Sequence, residues 1–165
     1  MANDNSAHSV GRAALRSADG RYLLEFVFVR LLASYHSDWH SYELHMKEVG
    51  GAKSWSLVPT VDVPLFLEKN YEPEVPAICS GLRLAARDGS AFYFTPIDER
   101  DFVLEVRAEL GGLCMRVQFR HSPAPDEFGW PQGVLVSREG ACRFADELEA
   151  AYALPTSWTR SIEGE

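Results

Sequence analysis

Cysteine is scarce in this 165-residue chain, with Cys79, Cys114 and Cys142 far apart and odd in number. That spacing argues against a disulfide framework or a zinc knuckle, and buried free thiols of a reducing compartment are expected instead. Long apolar runs are missing as well. The longest, Tyr22–Ala33, is broken by Glu25 and Arg30 and is too short to span a bilayer. The opening Met1-Ala2-Asn3-Asp4-Asn5-Ser6 has neither a basic nor an apolar stretch, so no secretory signal is expected and a cytoplasmic location is. Basic residues are in deficit, 16 Lys+Arg against 24 Asp+Glu, for a net charge of −8 and a pI near 5.1. General nucleic-acid binders carry a basic footprint, so neither nucleic acid nor a membrane is expected as partner.

Familiar reaction motifs are absent too. Gly50-Gly51 and Gly111-Gly112 stand alone and open no phosphate-binding helix. Cys79-Ser80-Gly81 is not a nucleophile elbow, and the spacing yields no Cys-His-Asn set. His36, Asp38 and His40 alternate, with His45 nearby, and could be read as metal ligands. Alternate strand residues lie about 6–7 Å apart, so the outer pair would sit beyond one coordination sphere unless the strand bends. A polar turn ahead of a strand Trp39–Val49 is the simpler reading. No catalytic residue, metal or cofactor is assigned, and the chain is not expected to be an enzyme.

What is present suits a globular domain: hydrophobic residues make up 46% and charged residues 24% of the chain. Two Asp-Gly pairs are its clearest local signals. Asp19-Gly20 separates Arg12–Ser17 from the apolar Tyr22–Leu32, and Asp88-Gly89 separates Leu82–Ala86 from Ala91–Phe94. Each predicts a tight hairpin with a type I′ turn, because that turn needs positive φ at both central residues. Gly111-Gly112 predicts a third, joining Phe102–Leu110 to Leu113–Arg120. In these strands Phe102, Leu104, Val106 and Ala108 share a face, as do Leu113, Met115, Val117 and Phe119, while Glu105, Arg107, Arg116 and Gln118 lie opposite. Such alternation marks antiparallel sheet with one wet side. Tyr22–Leu32 is apolar on both faces except at Glu25 and Arg30, which predicts a central, covered strand.

Two helices are predicted. One starts near Asp62, takes Pro64 in its first turn, runs through Leu65–Lys69 and is limited by Pro73 and Pro76. The other spans about Arg138 to Tyr152 behind a Ser137 cap, with Phe144, Leu148 and Tyr152 on one stripe. No internal repeat is visible. The expected fold is a single α+β domain over 1–165: a bent antiparallel sheet of hairpins and a meander, two helices packed on it, and loose termini at 1–9 and 156–165.

Acidic groups beside aromatic rings are the best candidates for a working surface. Asp98, Glu99 and Asp101 sit on a connection between strands, and Asp126, Glu127, Phe128 and Trp130 fall in the long irregular stretch Ser122–Gln132. Such a surface could steer a basic protein by charge and hold it by ring burial. Alternatively, Phe128 and Trp130 fold back over an open end of the sheet. A different class of reading is a small-molecule-binding or enzymatic domain whose sheet encloses a pocket lined by Phe26, Phe28, Phe92, Phe94 and Phe119, with Tyr93, Arg107 or Arg116 as polar contacts. A subunit or adaptor of a secretion system is a third.

The order of features resembles small bacterial immunity proteins that neutralise polymorphic or contact-delivered toxins, in particular those related to the antidote of a cell-wall-associated toxin. The resemblance rests on the Asp19-Gly20 hairpin leading into Tyr22-Leu23-Leu24-Glu25-Phe26-Val27-Phe28, and on Lys53-Ser54-Trp55-Ser56 followed by Asp62-Val63-Pro64-Leu65-Phe66-Leu67. The meander Leu82–Arg120 and the helix Ser137–Tyr152 complete it, so it runs from about Gly11 to Tyr152. Ser122–Gln132 and the tail have no counterpart. The resemblance implies a non-enzymatic, cytoplasmic protein that occludes a cognate toxin, with no catalytic residues to carry over. An acidic inhibitor is suited to a toxin with a basic groove built for phosphate.

Overall fold

The computed structural model describes residues 8–30, 39–51, 53–57, 66–68, 73–96, 102–119 and 130–153. The chain lays down β1 (His8–Arg16), β2 (Tyr22–Arg30), β3 (Trp39–Glu48) and β4 (Ser54–Leu57) as an antiparallel sheet in that order, with β5 (Phe66–Glu68) also paired to β3. Ser41 pairs with Val29 on one side and Phe66 on the other, so β5 continues the side of β3 that β4 occupies. Helix α1 (Glu74–Asp88) follows. A second antiparallel sheet then forms from β6 (Phe92–Phe94), β7 (Phe102–Glu109), β8 (Gly112–Phe119) and β9 (Trp130–Val136), and α2 (Arg138–Ala153) comes last. The α+β class expected from the sequence is present, its strands distributed over two sheets. Strands and then a helix, twice over, is a repeat of arrangement that leaves no mark in the residues themselves.

Period-2 patterning places the core. Leu24, Phe26 and Phe28 of β2 and Tyr42, Leu44 and Met46 of β3 are buried with Phe102, Leu104 and Val106 of β7 and Leu113, Met115, Val117 and Phe119 of β8. The helices add Ile78 and Leu82 from α1, and Phe144 and Leu148 from α2, to the same cluster. The faces predicted for β7 and β8 are therefore observed, except that Ala108 is exposed. On the other face of β2, Leu23 and Val27 are buried too, as a covered central strand requires. Phe26 stacks on Tyr42 with ring centroids 5.3 Å apart, and Phe102 meets Tyr42 edge-on at 5.7 Å.

The first predicted helix is displaced. Phe66–Glu68, inside the predicted span, is strand β5, and the helix occupies Glu74–Asp88 instead. Pro73 and Pro76, read as limits, stand at its start, where a missing N–H costs no intrahelical bond. Asp88-Gly89 is correspondingly not a hairpin: Gly89 has φ 75° and donates its N–H to the Ala85 carbonyl, ending α1.

Asp19-Gly20 does close a hairpin, β1 to β2, but without a type I′ turn. Only Gly20 has positive φ (75°), and no non-glycine residue does among those described. The turn is fixed by side chains: Ser17 Oγ donates to Asp19 Oδ1 at 2.7 Å, and the Arg21 amide donates to the same oxygen at 3.0 Å. These donors hold the Asp19 carboxyl below its ordinary range. At Gly111 (φ 86°) a two-residue turn joins β7 to β8 as expected, with Gly112 already in the strand.

Helix α2 matches its predicted span, and Ser137 Oγ accepts from the Gly140 amide at 2.9 Å. Ser137→Ala is expected to cost about 1 kcal/mol of unfolding free energy, measured by urea titration. Arg83 of α1 ties the helices together on the outside, reaching Asp146 at 2.8 Å and Glu149 at 2.7 Å. Helix α2 also lines β1: Glu147 Oε2 accepts from the Ala14 amide at 2.9 Å, and a Cβ on Gly11 would lie 3.0 Å from that of Ala151. β1 begins at His8, inside the segment 1–9 expected to be loose.

Candidate functional site

Register fixes where the predicted docking segments attach. Phe94 pairs with Leu104, Phe102 with Phe119, and Val117 with Trp130. The chain thus leaves β6, enters β7, leaves β8 and enters β9 at one end of the second sheet. Both connections there, 97–101 and 120–129, are the acid-rich ones. Asp98, Glu99, Asp101, Asp126, Glu127 and Phe128 themselves lie outside the described residues. Trp130 was expected in a loop; its backbone is the first residue of β9. Trp130 pairs with Val117 beyond a register shift between Met115 and Val117.

The outer face of this sheet carries polar groups that its sequence alternation foretold and one arrangement that it did not. Tyr93, Glu105 and Arg116 form one row across β6, β7 and β8. Glu105 binds Arg116 through Oε2 at 2.9 Å and Arg107 through Oε1. Two guanidiniums on one carboxylate hold all three groups in place. Tyr93 is 57% exposed and Leu135 39%, so apolar surface lies on both sides of this charged cluster. Tyr and Arg are the residue types that dominate protein-binding hot spots. The pairing of Tyr93 with Glu105 was beyond sequence reasoning because it depends on β6 register.

Of the phenylalanines named for an aromatic pocket, Phe26 packs on Phe28 with ring centroids 5.3 Å apart, and Phe94 on Phe102 at 5.8 Å. Phe26, Phe28, Phe94 and Phe119 are buried, and Phe92 is half-buried over α1. Of the five, Phe26 alone lines a cavity of about 20 Å³, apolar in its lining, that it shares with Leu44, Ile78, Leu104 and Phe144. That is room for about one water molecule, not for a metabolite. Arg107 and Arg116 point away from it, onto the outer face.

Of the cysteines, Cys79 is buried as expected, while Cys114 and Cys142 are half-buried. Burial pushes the Cys79 thiol up to about 11, and its Sγ lies 3.4 Å from the Ala145 carbonyl. It packs α1 against α2 as an inert thiol. A Cβ on Gly133, whose φ of 83° marks an irregular turn of β9, would overlap the Cys114 Sγ. His36 and Asp38 lie outside the described residues, as does the side chain of His40. His45 is described, and both its ring nitrogens are engaged: Nδ1 with Ser56 Oγ at 2.8 Å and Nε2 with Glu43 Oε2 at 2.7 Å. Among the described residues no helix is long and apolar enough to cross a membrane.

No family model matches the chain, and no curated protein does. A solved structure of the plant transcriptional regulator PBF-2 is similar over 96% of this chain and 87% of that one, at 12% sequence identity and a TM-score of 0.49.

Proposed function

We propose that this chain is a non-enzymatic, acidic binding protein of bacterial immunity type, which inhibits a cognate toxin by covering its active site. The observation that carries the reading is the attachment of both acid-rich connections, 97–101 and 120–129, at the same end of the second sheet. Three acids against Arg100 in one segment and two against Arg120 in the other leave each with net negative charge, and we read the two as acting together on a partner at that end. Negative charge of this kind speeds encounter with a basic groove, an effect that weakens as salt rises. Trp130 stands at the anchor of one segment, where a ring can supply burial to a complex that charge alone would leave loose. The net charge of −8 acts in the same direction at longer range.

The test is capture from the native organism with tagged protein, washed at low and then high salt. A single stoichiometric partner with a basic domain, released more easily at high salt, is the expected outcome. Replacing Asp126, Glu127 and Trp130 together by Ala is expected to weaken that complex at least about tenfold, with the fold intact by circular dichroism. The pair Asp126→Ala, Glu127→Ala leaves β9 untouched and is expected to lower the association rate and its salt dependence. Binding as tight as wild type by both variants would remove this surface from consideration.

A further inference from the structure

The outer face of the first sheet holds a chain of hydrogen bonds that a binding role does not use. His45 pairs with Ser56 across β3 and β4, and Glu43 lies two residues before His45 on the same face of β3. Ser56 Oγ is 2.8 Å from His45 Nδ1, while His45 Nε2 is 2.7 Å from Glu43 Oε2. In the tautomer with its proton on Nε2 the ring donates to Glu43, and Nδ1 then accepts the Ser56 hydroxyl proton. Nucleophile, base and orienting carboxylate thus stand in the order that activates an alcohol. Both distances are already in the range proton transfer needs.

We propose that Ser56 is an acyl-accepting nucleophile for small activated esters and thioesters. In the step, Oγ attacks the carbonyl carbon and gives its proton to His45 Nδ1. The bond from that carbon to the leaving oxygen or sulfur breaks, and the leaving group departs with the proton from Nδ1. The product is an ester at Ser56 and a free alcohol or thiol, with no oxidant or further reactant involved. Ser56 is exposed on a short strand, so the acyl donor approaches from solvent and is selected by reactivity rather than by a pocket. Glu25, opposite His45 on β2, is engaged by Arg12 at 3.7 Å, and Lys47 is exposed in the next row, paired with Ser54. The inference concerns the sheet remote in sequence from the acid-rich connections and stands independently of the toxin-inhibitor reading.

The experiment uses the full chain and p-nitrophenyl acetate, following nitrophenolate release and mapping the acetyl group by peptide mass spectrometry. The expected result is one acetyl group on the peptide containing Ser56, abolished in Ser56→Ala. His45→Gln is expected to slow acylation by about 100-fold or more, and Glu43→Gln by less, since it removes orientation and not the base. Circular dichroism checks that each variant is folded. Acetyl groups found on Lys47 or spread over the lysines, or nitrophenolate release by Ser56→Ala at the wild-type rate, would overturn the proposal.

Discussion

Phe144→Ala is expected to lower the unfolding free energy by about 3–5 kcal/mol, enough to remove much of the stability of a domain this size. Phe144 is 2% exposed and occupies the place where α2 meets both sheets and α1. It also borders the 20 Å³ cavity with Leu24, Phe26, Ile78 and Leu104. Truncation therefore enlarges an existing void, and the loss includes both the transfer free energy of the ring and the contacts of its neighbours. Equilibrium unfolding in urea measures it. A change below about 1 kcal/mol would mean that the helices close over the gap, and that the interior is not packed as described. Phe144→Leu, nearer in volume, is expected to cost less than about 1.5 kcal/mol.

Gly112→Val is expected to rank next, at about 3 kcal/mol, by overpacking. A Cβ at Gly112 would overlap the carbonyl oxygen of Val136, which is backbone and has no rotamer to turn aside. The pairing of Leu113 with Val136 ends the β8–β9 ladder beside this point, so the strain falls where α2 is about to begin. Gly111→Asn supplies the contrast. That residue has φ 86°, a Cβ there would meet nothing within 4 Å, and Asn tolerates the left-handed region. Thermal unfolding of the two variants side by side is expected to show a large loss for Gly112→Val and a small one for Gly111→Asn. Equal losses would place the cost in backbone conformation rather than in contact with β9.

The contrast between the two Asp-Gly pairs shows what a sequence can and cannot say about this fold. Asp-Gly announces a positive φ, and a positive φ serves a hairpin and a helix end alike. Gly20 fulfils the first use and Gly89 the second. The residues before Gly89 could have decided the matter. Val75, Ile78, Cys79, Leu82, Ala85 and Ala86 are buried at helical spacing, a stripe that reads as apolar strand when only Leu82–Ala86 is considered. Ser137 was legible for the opposite reason, since a serine ahead of a long amphipathic run has one conventional use and the Gly140 amide takes it. β9 was hidden because Pro131 and Gly133 disguise a strand that begins at Trp130. The acid-rich segments were visible as composition, but their common anchorage depends on which strands are neighbours, and pairing between distant strands is not written in either one alone. The Ser56–His45–Glu43 chain was unreadable on the same ground, since Ser56 reaches His45 only through the β3–β4 register.

The bond from the Ala14 amide to Glu147 has a consequence for self-association. A border strand offers unpaired N–H and C=O groups to any extended segment that comes near, and this is how sheets recruit further chains into aggregates. On β1 the Ala14 donor is already taken by the Glu147 carboxylate of α2, while Ala151 packs close on Gly11 from the face that the helix covers. A strand arriving at this border would have to displace that carboxylate before it could bond Ala14. At this point of β1 recruitment therefore competes with a contact that the native helix makes.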